Sequence, residues 1–149
     1  MTRILAIDPS AERDISSTGF AILDYTAQGA AKVVASGAIP GGFEGFIHSI
    51  DRLQAFQPDK VVCEHYVAYN RAADPTPLLV EGVVRYLWPD TTLQPSTGKN
   101  TLVPNDKLKE WGHWDSHAGH HADEREAIRH AFVYLVNQRH RPTLKLLSQ

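Results

Sequence analysis

Four carboxylates stand at positions where an acid needs an explanation. Asp8 closes the apolar run "RILAID" and Glu64 closes "KVVCE". Both runs read as buried strands, and a buried strand avoids an unpaired charge because desolvating a carboxylate is costly. Asp123 and Glu126 open the run "ADEREAIRHAFVYLVNQ", three residues apart and so on one face of a helix. Each has an ordinary structural reading. Asp8-Pro9 is a good turn initiator, Glu64 is a strand-end charge that can reach solvent, and Asp123 with Glu126 fits a helix start with an acidic third residue. Brought together, the four would repel one another unless a cation lay between them. Four clustered carboxylates suit hard divalent cations, Mg²⁺ or Mn²⁺.

Whether they meet depends on the elements that carry them. "RILAID", "TGFAILDY" and "KVVASGAI" read as three strands joined by short polar turns, an antiparallel meander. "FEGFIHSIDRLQAF" has apolar residues at three- and four-residue spacings, a helix ended by Pro58. "KVVCEH" is a fourth strand, "TPLLVEGVVRYLW" a helix with Pro77 near its start, and "TTLQP" a short fifth strand. "NDKLKEWGHW" is a short helix that Asn105 or Asp106 can cap, and "ADEREAIRHAFVYLVNQ" closes the series. Pro142 ends helical structure, and residues from about 140 to 149 are expected to form a flexible basic tail. Later strands alternating with helices imply parallel crossovers. The expectation is an α/β fold: one mixed five-stranded sheet with helices on both faces. If the first and fourth strands are parallel neighbours, Asp8 and Glu64 lie side by side at the carboxyl edge, where such sheets place their chemistry.

Composition agrees with a single domain over residues 1–149. The chain has 42% hydrophobic and 21% charged residues and a net charge of −2. No apolar run approaches a membrane span, and no secretory leader is evident at the N-terminus. One cysteine, Cys63, cannot form an internal disulfide and reads as a buried strand thiol. A cytoplasmic, non-membrane protein is expected. A slightly acidic balance disfavours a protein that merely coats nucleic acid, yet it suits an enzyme with acids in its centre and bases around the rim.

The motifs resemble a family. "ILAIDPSAERDISSTGFAIL" looks like the opening of RuvC-like Holliday junction resolvases, a strand ending in "IDPG" or "IDPS" followed by "TG" and an apolar strand. "VVCEHYVAYN" resembles their second signature, and "HHADEREAIRHAFVYL" their closing helix with two acids three apart. The short chain and "AIRHA" resemble the phage-encoded branch. The resemblance implies an RNase H-like fold and a crossover-junction endodeoxyribonuclease that cuts branched DNA (four-way junctions, forks or flaps). It implies a homodimer, because a four-way junction needs two symmetric cuts. Two Mg²⁺ ions per site, with Mn²⁺ able to substitute, would be held by Asp8, Glu64, Asp123 and Glu126. Asp8 is the expected bridging ligand, Glu64 serves one ion, and Asp123 with Glu126 the other. Glu126 stands where the cellular enzymes usually carry Asp, and Glu124 competes with Asp123 for the inward position.

Around these acids, His121 and Lys107 are expected to assist catalysis. Tyr66 and Tyr69 would stack on unpaired bases or pack on the following helix, and Arg71, Lys99, Arg125 and Arg129 would contact phosphate. Arg139 and Arg141 extend the basic set. Rival readings stay open. His113, His117, His120 and His121 include a zinc-like spacing without a nearby cysteine. An ATP-binding module of related fold would need a second domain and a further phosphate motif. An RNase H-type nuclease acting on RNA–DNA hybrids and a non-catalytic junction-binding adaptor are the remaining alternatives.

Overall fold

The computed structural model describes residues 1–9, 17–67, 74–114 and 121–149, with His121 described in its backbone only. Strands β1 (Thr2–Pro9), β2 (Ser17–Tyr25) and β3 (Lys32–Pro40) form the meander. Helix α1 (Gly42–Ala55), strand β4 (Lys60–Glu64), helix α2 (Thr76–Leu87) and strand β5 (Thr92–Gln94) follow. The chain closes with helices α3 (Lys99–Leu102), α4 (Asn105–Glu110), α5 (His121–Asn137) and α6 (Arg141–Leu147). The sheet runs β3-β2-β1-β4-β5. Its first two pairings are antiparallel, β1 with β2 and β2 with β3. The others are parallel, β1 with β4 and β4 with β5. This is the expected five-stranded arrangement, with β1 central because its run is apolar from Ile4 to Ile7.

Side chains of a strand alternate between faces, and the alternation here sorts two cores. Leu5, Ile7, Phe20, Ile22, Val61 and Cys63 face α1 and α2. Ile4, Ala6, Ala21, Leu23 and Val62 face α5 and the α4 region. Continued to the strand ends, the second series puts Asp8, Ser17, Gly19, Glu64 and Gln94 on the α5 face. Each fully buried large aliphatic in these layers contributes roughly 1.5–3 kcal/mol, which holds the polar edge in register. Cys63 is buried as expected, and burial pushes its thiol pKa well up.

Helix α5 lies across β1, β2 and β3. Its entry is set by Gly19, where an added Cβ would come within 1.9 Å of the Asp123 main-chain oxygen. The glycine of "STG" is therefore a packing requirement: only a residue without Cβ lets the first turn of α5 rest on β2.

Two local expectations change. The C-terminal residues form α6 rather than a flexible tail, because Pro142 occupies the first turn, where its missing N–H costs nothing. His140 anchors that helix: Nε2 donates to the Thr26 carbonyl at 2.8 Å and Nδ1 pairs with Thr143 Oγ1 at 2.8 Å. Helix α4 has Pro104 at its N-cap with no side-chain cap, since Asn105 accepts a hydrogen bond from Arg129 instead. No helix among the described residues is long and apolar enough to cross a membrane.

Candidate active site

The register of β1 and β4 places Ile7 opposite Cys63, so the next residues, Asp8 and Glu64, stand side by side at the carboxyl edge of the sheet. Asp8 is only 6% exposed. Burial raises its pKa well above the ordinary carboxylate value, and the neighbouring Glu64 raises it further; Asp123 and Glu126 push the same way, while Lys99 opposes them. The other three expected acids thus each act on Asp8. The ligand atoms that come within 4.8 Å of one another are those of Asp8, Glu64 and His130 and do not include Asp123 or Glu126. The spacing of Asp123 and Glu126 on α5 delivers both to the β1–β4–α5 junction.

Glu64 behaves in the opposite sense. Its partial burial favours the neutral acid, but hydrogen bonds from His130 and Lys99 prevail and hold its pKa at about 2. Lys99 Nζ lies 2.9 Å from Glu64 Oε2 and 2.7 Å from Glu126 Oε2. Burial opposes the Lys99 charge, yet these two carboxylates raise its pKa nonetheless. Lys99 and, at Glu126, Arg129 supply fewer positive charges than the four acids would carry when ionised. Asp8, Glu64 and His130 can each present one ligand atom, all within 4.8 Å of one another. The donor set is dominated by carboxylate oxygen and fits a hard divalent cation.

Asp123 and Glu124 face different neighbours. The Asp123 carboxylate accepts a hydrogen bond from Ser17 and adds to the field on Asp8. Glu124 is buried toward β3, accepting from Ser36 Oγ at 2.6 Å.

The remaining expected residues divide. Lys99, expected at the DNA surface, instead sits within the carboxylate cluster. Lys107 pairs with Glu110 of its own helix at 3.0 Å. Arg129 corrects an expectation: it is 1% exposed, and its guanidinium donates to the Val103 carbonyl and Asn105, with Glu126 Oε1 at 3.3 Å. With its fork committed inside the protein it has no face for a phosphate. It braces the end of α3, the helix that carries Lys99. Arg125 stacks on Trp114, with Cζ 4.3 Å from the ring centroid, and donates to the Trp114 carbonyl at 3.2 Å. Lys109 lies 4.8 Å from the same ring. Tyr66 is half-buried and donates its hydroxyl to the Asp74 carbonyl at 3.0 Å. Arg139 and Arg141 are exposed at the α5–α6 turn. Tyr69, Arg71, His117, His120 and the side chain of His121 lie outside the described residues. His113 is half-buried against Phe132, 6.1 Å between centroids, and burial lowers its pKa.

Three residues that matter here were not singled out from the sequence. His130 is fully buried with Nε2 2.6 Å from Glu64 Oε2. Gln94 contacts His130 Nδ1 at 3.1 Å. Glu81, buried on α2, accepts from the Tyr66 main-chain N–H at 3.1 Å and meets His65 Nδ1 at 2.7 Å, fixing the chain just after Glu64. Two of the three, His130 and Gln94, had a readable signal. His130 is four residues beyond Glu126 and seven beyond Asp123, the same helical stripe, and Gln94 ends its strand as Asp8 and Glu64 end theirs.

No protein-family model matches the chain, and no curated protein matches it. Solved structures do. RuvC of T. thermophilus in complex with a Holliday junction substrate superposes with a TM-score of 0.69 at 11% identity, covering 93% of this chain and 96% of that one. Thermus thermophilus RuvC in a second structure gives 0.64 at 12% identity, covering 93% and 98%. The fowlpox virus Holliday junction resolvase gives 0.56 at 13% identity, covering 92% and 99%. The chain has the RuvC-type, RNase H-like fold along nearly its whole length.

Proposed function

We propose that this protein is a divalent-metal-dependent endonuclease that hydrolyses phosphodiester bonds in branched DNA, with the four-way junction as its principal substrate. One observation carries the reading: Asp8 and Glu64 stand together at the carboxyl ends of β1 and β4 with ligand atoms within 4.8 Å, Asp123 and Glu126 act on Asp8, and Lys99 pairs with Glu64 and Glu126. The likeness to solved resolvases, one of them bound to a Holliday junction, supports the substrate class.

Asp8 would be the ligand shared between two Mg²⁺ ions, Glu64 would hold one of them, and Asp123 with Glu126 the other. Bound there, the ions supply an activated water and charge stabilisation for the leaving oxygen. The protein's own contribution is orientation. Ser17 fixes Asp123, Arg129 fixes both Glu126 and the α3 end, and His130 fixes Glu64. Lys99, which links Glu64 and Glu126, would add a positive charge next to the scissile phosphate. Arg125, stacked on Trp114, would present a rigid cationic edge beside the cluster, with Tyr66, Tyr69 and Arg71 contacting DNA beyond Glu64.

A homodimer is the assembly this function asks for, since paired cuts need two centres related by a twofold axis. Helix α2 leaves Leu78, Leu79 and Tyr86 exposed, an apolar face suited to a second copy. Placement in the phage-encoded branch is part of the same proposal and rests on the sequence motifs.

Purified protein incubated with an end-labelled four-way junction, a linear duplex and an RNA–DNA hybrid, in Mg²⁺ or EDTA, tests the reading. Paired, Mg²⁺-dependent cuts in the junction alone are expected. Cutting of the hybrid instead would make it an RNase H-type enzyme, and tight junction binding without cutting would make it an adaptor.

A further inference from the structure

We propose that His130 and Gln94 form a positioning pair that presents the Glu64 carboxylate to a divalent cation, and that His130 is not itself a ligand. The inference rests on the nuclease reading and extends its site to residues behind the acids.

An imidazole with no exposure to solvent, like that of His130, needs a partner for each ring nitrogen. It has both. Gln94 Nε2 donates to the His130 main-chain oxygen at 3.0 Å and lies 3.1 Å from Nδ1 of the same residue. The main-chain contact fixes the amide: turned over, the Gln94 oxygen would face a carbonyl oxygen. With an amide N–H directed at it, Nδ1 accepts. The ring proton therefore sits on Nε2 and is donated to Glu64 Oε2 at 2.6 Å. A nitrogen that donates a proton to a carboxylate has no lone pair for a metal, although the 4.8 Å grouping with Asp8 and Glu64 would otherwise permit ligation.

The consequence for Glu64 is geometric. Lys99 and His130 both bond Oε2. The His130 bond to Oε2, independent of Lys99, would keep the carboxylate from rotating were a cation bound. Glu64 sits at the end of a five-residue strand and is followed by residues that leave the sheet, so its side chain needs this second anchor. Partners behind a metal ligand are typically worth 10–100-fold in metal affinity.

Calorimetric Mn²⁺ and Mg²⁺ titration of the free protein tests this without relying on activity, alongside melting temperatures in EDTA. His130→Gln keeps an N–H near the position of Nε2; His130→Leu fills the space without one; Gln94→Leu removes the donor to Nδ1. His130→Leu should weaken Mn²⁺ binding by about 10–100-fold. His130→Gln should recover most of that loss, and Gln94→Leu should fall between them. Wild-type affinity in His130→Leu would overturn the inference alone. Equal loss in a folded His130→Gln and His130→Leu would overturn it too, making the ring a ligand or a packing group. If His130→Leu does not fold, Gln94→Leu decides, and unchanged Mn²⁺ affinity there overturns the pair. Wild-type protein that binds neither ion would instead sink the nuclease reading.

Discussion

The first turn of α5 rests on Gly19 so closely that a Cβ there would lie 1.9 Å from the Asp123 main-chain oxygen. The obstacle is backbone, which cannot swing aside like a flexible side chain. Gly19→Ala should therefore displace the helix that carries Asp123, Glu126 and His130. Overpacking of this kind costs roughly 1–3 kcal/mol. Denaturant unfolding should show that loss, and Mn²⁺ binding should weaken by more than the stability change alone explains. Unaltered stability would mean that α5 can slide on β2.

Asp8 and Glu64 are neighbours with opposite electrostatic standing, and their amides should have opposite effects in EDTA. Asp8 has its pKa raised by burial and by the surrounding carboxylates, so ionising it opposes folding when no cation is bound. Asp8→Asn should stabilise the metal-free protein by on the order of 1 kcal/mol, a rise of about 3 °C in melting temperature. Glu64 is favoured as an anion by His130 and Lys99. Glu64→Gln should lower stability by about 1–3 kcal/mol. Mg²⁺ should raise the melting temperature of wild type and leave Asp8→Asn nearly unmoved.

The pH dependence follows from the same pair. The Glu64 contribution is fully present above the ordinary value of 4.5 and is lost as pH falls through the folded value of about 2. The Asp8 penalty is absent below its ordinary value of 3.8 and grows as pH rises toward its higher folded value. In EDTA the stability advantage of Asp8→Asn over wild type should vanish near pH 3 and widen toward neutrality. Melting curves across that range check it; a constant difference would contradict the assignment of Asp8 as the strained acid.

Arg129 should behave as a structural residue. Removing a buried guanidinium leaves the Val103 carbonyl and Asn105 without their donor and withdraws a partner from Glu126. Arg129→Ala should cost about 3 kcal/mol. Arg125→Ala, by contrast, should be mild for stability and should reduce the salt dependence of junction binding by about one phosphate contact. Fluorescence anisotropy at several salt concentrations separates the two.

Much of this site was readable because periodicity carries it. Apolar runs ending in Asp8 and Glu64 required parallel neighbouring strands to become a pair, and the β-strand and helix order supplied them. The i, i+3 spacing of Asp123 and Glu126 put both on one face before any fold was assigned. What escaped were groups whose significance exists only after folding. His130 sits in an apolar stripe and reads as core until Glu64 is seen opposite it. Lys99 follows a short strand and a glycine turn, and nothing local reveals that α3 aims it inward. Arg129 looked like surface charge because a helix face can be read from sequence, but what packs against that face cannot. The C-terminal helix is hidden for a related reason: Pro142 breaks a helix interior yet starts one equally well, and His140 tips the balance through its contact with Thr26, far away in sequence.

The measurement that bears most directly on the account is single-turnover cleavage of an end-labelled four-way DNA junction by wild type and Asp8→Asn, in Mg²⁺ and in EDTA. Junction affinity is measured in parallel. Symmetric cuts by wild type in Mg²⁺ only, with Asp8→Asn binding the junction normally and cutting it at least a hundredfold more slowly (about 3 kcal/mol), are predicted. Wild-type cutting by Asp8→Asn, or equal cutting in EDTA, would contradict it.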